Sequence, residues 1–260
     1  MEKRTQGIID WIKEYFVRNG PDSPAVIGIS GGKDSTVVGK LLCEALGPDK
    51  VIAVKMPQGK QHDIDISNKV IEYLGIPKTN VFEVNIGDIC DSFYNAFDTY
   101  ILNIAPPISA TPQVTSNLPA RVRMTVLYAI AARLHGRVAN TCNRSENYVG
   151  YSTKFGDAAG DFSPLHEYTV CEVLQIGRDL GIPMEFLEKI PEDGLSGLTD
   201  EDNLGFTYAV LDDYLLNKII PEYPIYKKIE EMNERNKHKL RFMPIGPLYN
   251  KDGQLVRRHF

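Results

Sequence analysis

A short apolar run from Ala25 to Ile29 enters the turn Ser30-Gly31-Gly32-Lys33-Asp34-Ser35, and a helical stretch from Thr36 to Leu46 follows at once. This order constrains the chain more than any other feature. An unbroken run of branched apolar residues suits a strand buried on both faces, as in a parallel sheet. Two adjacent glycines let the backbone curl so that several N–H groups face one concavity, and the next helix adds its positive end. The result is an anion nest. Ser30 and Ser35 offer hydroxyls to phosphate oxygens, and Lys33 offers a charge-assisted contact. A carboxylate beside phosphate is repulsive unless a cation lies between, so Asp34 is assigned to Mg2+. Walker A spacing is absent, and so is G-x-G-x-x-G.

Strand and helix signals keep alternating downstream. Helical spacing covers residues 4 to 19, and Gly20-Pro21 stops it. Val51 to Val54 and Val81 to Val84 read as strands; Asp63 to Leu74 and Ile89 to Leu102 read as helices. This predicts an α/β fold, a doubly wound parallel sheet with helices on both faces. Ligands then gather at the carboxyl ends of the strands. Ile104 to Pro119 reads as a loop, Ala120 to Leu134 as a helix and Val138 to Thr141 as a further strand. Glu146 to Ser163 reads as a long polar loop, and Pro191 to Thr199 as another. The stretches around 150 to 163 and 191 to 200 are expected to act as mobile lids. Glu172 to Leu180, Glu201 to Leu216 and Tyr226 to Lys237 read as helices. The Ala120 to Leu134 helix, with Tyr128 and Leu134, suits either the core or a dimer face. Lys55, just past the second strand, is equally open as an ATP contact.

Composition excludes some partners. A net charge of -5 argues against a general nucleic-acid binder, and no apolar run is long enough for a membrane span. Cys43, Cys90, Cys142 and Cys171 form no C-x-x-C pair, which suits reduced thiols in a cytoplasmic protein. His62, His135, His166 and His259 have no zinc-ligand spacing.

The turn S-G-G-x-D-S resembles the pyrophosphate loop of the N-type ATP pyrophosphatases, which cleave ATP between the α and β phosphates and have an adenine nucleotide alpha hydrolase-like fold. Later motifs resemble one branch of that superfamily, the ammonia-dependent NAD synthetases. They are Asn117-Leu118-Pro119-Ala120-Arg121-Val122-Arg123-Met124, Thr141 with Glu146, Gly150 to Asp157, Asp161 to Leu165, Thr199-Asp200-Glu201 with Leu204-Gly205, and His238-Lys239. They fall in order over nearly the whole chain.

The resemblance implies a ligase making NAD from deamido-NAD, ATP and ammonia through an adenylate. Gly28, Ile29, Ser30, Gly31, Gly32, Lys33, Asp34, Ser35 and Thr141 would bind ATP. Asp34 and Glu146 would hold Mg2+. Arg121, Lys154, Asp161, His238 and Lys239 would bind deamido-NAD, with Asp34, Lys154 and Asp161 as catalytic residues. It also implies a homodimer. A single synthetase domain over residues 1–260, without a glutaminase domain, points to free ammonia as the nitrogen donor.

Two positions depart from the family pattern. Val170 stands where members commonly have a lysine, and Glu192 where they have Thr or Ser. Both positions serve ATP phosphates in the family, so the departures shift weight onto Lys33. Two rival readings are a tRNA-modifying or sulfur-transfer relative and a nucleotide sensor without catalysis. The first would need a basic surface and a reactive cysteine pair, neither of which the sequence has.

Overall fold

Four short segments pair side by side: β1 (Ala25–Gly28), β2 (Val51–Lys55), β3 (Val81–Glu83) and β4 (Arg137–Val138). All pairs are parallel, in the order β3-β2-β1-β4. The computed structural model describes residues 1–260 apart from 60–63, 101–106, 108–110, 189–198, 242–247, 250–254 and 258–260.

Alternate strand residues supply two cores. Ala25, Ile27, Val51 and Ala53 pack with Ile8, Ile9, Ile12 and Phe16 of α1 (Lys3–Asn19) and Val37, Val38, Leu41 and Leu42 of α2 (Lys33–Leu46). α3 (Ile64–Leu74) and α7 (Val170–Asp179) complete this layer through Val70, Ile71, Val173 and Ile176. Val26, Ile52, Val54 and Val138 face the opposite way and meet Leu127 and Ala131 of α5 (Pro112–Leu134). The sheet is therefore covered on both faces, as expected of a doubly wound fold. A further cluster joins α6 (Arg144–Val149), α7, α9 (Asp200–Leu204), α10 (Tyr208–Asn217) and α11 (Tyr223–Asn236). α4 (Gly87–Tyr100) precedes α5, α8 (Met184–Leu187) follows α7, and β5 (Leu248–Tyr249) pairs antiparallel with β6 (Leu255–Arg257).

The helices correct three expectations. α5 starts at Pro112, so the second half of the expected Ile104–Pro119 loop is helical. Thr111 is extended at the N-cap, and the fixed φ of Pro112 suits a first turn, where its missing N–H costs nothing. Residues 144–149 form a helix that takes in the start of the expected Glu146–Ser163 loop, because Asn143 and Glu146 build a reciprocal cap. The expected Glu201–Leu216 helix is two helices. Gly205, at φ 73°, ends α9, and the Thr207 side chain accepts the Val210 N–H to start α10. The Glu192 position lies outside the described residues.

The chain winds from β1 out to β3, then returns to place β4 on the other side of β1. The segments leaving β1 and β4 diverge at this reversal, and a crevice opens at their carboxyl ends. The site is built there.

Candidate active site

Gly31 sits at φ +81° in the turn after β1, and a Cβ there would lie 3.2 Å from the Ser67 amide nitrogen. Only glycine suits both the left-handed backbone and the close approach. Gly32 caps α2, so the helix begins at Lys33, earlier than the sequence suggested. The loop is tied to itself. The Ser30 and Ser35 hydroxyls lie 3.1 Å apart, the Gly32 N–H donates to Ser30 Oγ at 3.3 Å, and the Thr36 hydroxyl donates to the Gly32 carbonyl at 2.8 Å. Gly28 and Ile29 lead into it from β1.

Lys33 is only 6% exposed, and its Nζ lies 2.9 Å from Asp34 Oδ2. Burial works against its charge, but the carboxylates of Asp34 and Glu146 outweigh burial and keep it protonated. The loop cation is thus already paired within the protein.

Residues beyond β4 close the other wall. Thr141 is half-buried at this strand end, and Asn143 is fully buried. The Asn143 side chain accepts the Glu146 N–H at 3.0 Å through its oxygen and donates to Asp34 Oδ1 at 3.1 Å through its nitrogen. The Glu146 carboxylate accepts the Asn143 N–H at 3.2 Å. One asparagine therefore starts α6, orients Glu146 and reaches Asp34 across the crevice. Burial first, then the Asp34 charge, pushes the Glu146 carboxyl up to about 8. Asp200 at the start of α9 adds further negative charge that Lys33 and Glu146 both feel. Among the described residues, no group of three or more His, Cys, Asp or Glu side chains is arranged to hold a metal ion.

A second group of polar side chains gathers where the loop after α6 meets the end of α11. Lys154 Nζ donates to the His238 carbonyl at 2.8 Å, and Lys239 Nζ donates to the carbonyls of Gly150 and Ser152 at 2.7 and 2.9 Å. Arg121 on α5 reaches the Lys154 carbonyl at 3.4 Å. Phe155 is 64% exposed with φ 60°, and the Lys154 ammonium lies 5.2 Å from its ring centroid. A bulky residue held left-handed is strained, and such strain concentrates at functional loops. Asp161 sits apart from this group. Its carboxylate accepts the Val138 N–H at 2.7 Å and the Tyr128 hydroxyl at 3.3 Å. Asp157 accepts the Thr153 N–H at 2.9 Å, which closes a turn of this loop.

Lys55, open in the sequence, is held by Glu83 and Asn68, each at 2.6 Å. Val170 is 8% exposed and belongs to the apolar cluster of Val149, Leu204, Phe206 and Leu211. Sequence reasoning missed Asn143, although the N-x-x-E spacing of Asn143 and Glu146 is a capping-box signature.

The model of the NAD synthase family matches residues 4–243. The chain belongs to the NAD synthase family. An NH3-dependent NAD synthetase of Pyrococcus furiosus is 35% identical over 246 residues, covering 89% of this chain and 91% of the relative. One from Alkaliphilus oremlandii is 34% identical, covering 95% and 97%. Among solved structures, an NMN synthetase from Francisella tularensis superposes with a TM-score of 0.83 at 30% identity, covering 94% of this chain and 97% of that one. An NH3-dependent NAD synthetase from Campylobacter jejuni gives 0.72 at 25% identity, covering 94% and 99%. No described helix is long and apolar enough to cross a membrane.

Proposed function

We propose that this member of the NAD synthase family forms NAD from deamido-NAD, ATP and ammonia, releasing AMP and pyrophosphate. One observation carries the reading at residue level. The Ser30–Ser35 loop and the carboxylates of Asp34 and Glu146 meet across the β1/β4 crevice, joined by Asn143.

Loop N–H groups and the Ser30 and Ser35 hydroxyls hold the β and γ phosphates of ATP, with Thr141 on the opposite wall. Arg121, Lys154, His238 and Lys239 hold the diphosphate and carboxylate of the dinucleotide, and Asp161, held apart from them beside Val138 and Tyr128, serves as a further acceptor for it. A nicotinate carboxylate oxygen attacks the α phosphorus, and the bond to pyrophosphate breaks. Ammonia nitrogen then attacks the acyl carbon, loses a proton and displaces AMP. The protein's part is positioning, charge balance and exclusion of water.

Asp34 and Glu146 fit Mg2+. Two hard oxygen donors at a phosphate site leave the remaining positions to water and phosphate, and the Glu146 carboxyl, raised first by burial and then by the Asp34 charge, is one that a cation would hold ionised. When bound, Mg2+ would neutralise charge on the phosphates. α4 packs against α5 and leaves Ile89 (44%) and Phe93 (39%) exposed, which suits a homodimer face on that side. Four unpaired cysteines suit a reducing, cytoplasmic setting.

The test is incubation with ATP, Mg2+, ammonium and deamido-NAD, followed by quantification of NAD and AMP. ATP binding without either product would refute the reaction. A second reading is amidation of nicotinic acid mononucleotide to NMN. It is favoured by the higher structural similarity to the Francisella NMN synthetase, 0.83 against 0.72 for the Campylobacter NAD synthetase. Comparing kcat/KM for the two acids decides between them.

A further inference from the structure

Tyr208 opens α10 and is 5% exposed, yet its hydroxyl has no hydrogen-bond partner among the described residues. A buried unpaired hydroxyl costs free energy, and native structures rarely keep one without a reason. Lys33 Nζ lies 5.7 Å from the Tyr208 ring centroid, close enough for the ring face to attract the ammonium. The same ammonium is 2.9 Å from Asp34 Oδ2, so the ring borders the acidic end of the crevice. Burial, then the charges of Glu146, Asp200 and Asp34, push the phenol pKa up, so the unpaired hydroxyl keeps its proton as a donor. The backbone holds the ring in place, because the Tyr208 N–H donates to Glu201 Oε1 at 2.8 Å and Thr207 caps the helix.

We propose that Tyr208 is a further ATP-binding residue: its hydroxyl donates to a phosphate oxygen of the nucleotide, and its ring seats Lys33 beside Asp34. The inference rests on the ATP-dependent reading above. It assigns to the far wall of the crevice a neutral donor where Val170 supplies no cation. A phenol suits that place, because a second ammonium beside Lys33 would repel it, whereas a neutral O–H adds a bond without adding charge.

Tyr208→Phe removes the hydroxyl and keeps the ring. The melting temperature of the free variant should equal or exceed that of the parent, because an unpaired buried group is gone. The rise in melting temperature produced by Mg2+ and ATP without dinucleotide should shrink. KM for ATP should rise roughly three- to tenfold, the effect of one lost hydrogen bond, with KM for deamido-NAD unchanged. An unchanged ATP response, or a shift confined to the dinucleotide KM, would overturn the proposal. A lower melting temperature with unaltered ATP constants would also overturn it, since the hydroxyl would then serve the fold alone. If the parent binds ATP but makes no NAD, the proposed reaction fails, while the ATP-induced shift in Tyr208→Phe still judges Tyr208.

Discussion

The two ends of the site carry cations in opposite ways. At the β1/β4 crevice Lys33 is buried and paired with Asp34, and Asn143 bridges Asp34 to Glu146. At the second end, Arg121, Lys154 and Lys239 reach only backbone carbonyls, and none of them forms an ion pair among the described residues. The first end is preorganised and balanced internally. The second is anchored in position by backbone carbonyls without an ion pair among the described residues, which on the proposed reading leaves it for an anionic substrate. Charge buried inside a protein must be matched within it, whereas charge at the surface can wait for a ligand.

The comparison can be broken by substitution. Asp34→Asn should lower kcat by at least about 100-fold, the usual scale for losing one preorganised electrostatic contact. NAD formation under saturating substrates measures it, and near-normal turnover would remove Asp34 from the metal role. Lys154→Ala should raise KM for deamido-NAD by roughly 10- to 100-fold, since hydrogen bonds to charged groups are worth about 1.5–3 kcal/mol. KM for ATP should stay constant, and a matching rise there would mean that the two ends are not separate. Asn143→Ala should cost about 1–2 kcal/mol of stability in urea titration through the lost α6 cap, together with a fall in turnover. Loss of stability with full activity would reduce Asn143 to a cap. The smallest effect is from salt. Raising ionic strength from low to physiological should increase KM for the dinucleotide a few-fold and leave KM for ATP less affected, because exposed charges are screened more than buried ones. The loop from 150 to 163 should show faster hydrogen exchange without ligand than with ATP and dinucleotide, and equal exchange would argue against a lid.

Much of the first end was legible because its determinants are contiguous. Strand, paired glycines and helix sit within Ala25 to Leu46, and each acts on its neighbours through backbone geometry. The second end was legible only through resemblance, since Arg121, Lys154 and His238 come from α5, a loop and the turn after α11. The helical identity of residues 112–119 was missed because Pro112 and Pro119 read as breakers. A proline at a first turn costs no hydrogen bond, and packing tolerates the buried Pro119.

By itself, the sequence determined a doubly wound sheet and a glycine-rich turn after its first strand, because these follow from periodicity and glycine chemistry; the site carboxylates it offered as expectations, Asp34 from the turn and Glu146 from the resemblance. Only the tertiary structure decided what each charge does. It turned Lys33 onto Asp34, retired Lys55 to Glu83, buried Val170 among apolar neighbours, and brought Asn143 and Tyr208 to the crevice. A side chain's partner depends on distances that close only when strands remote in sequence pack together.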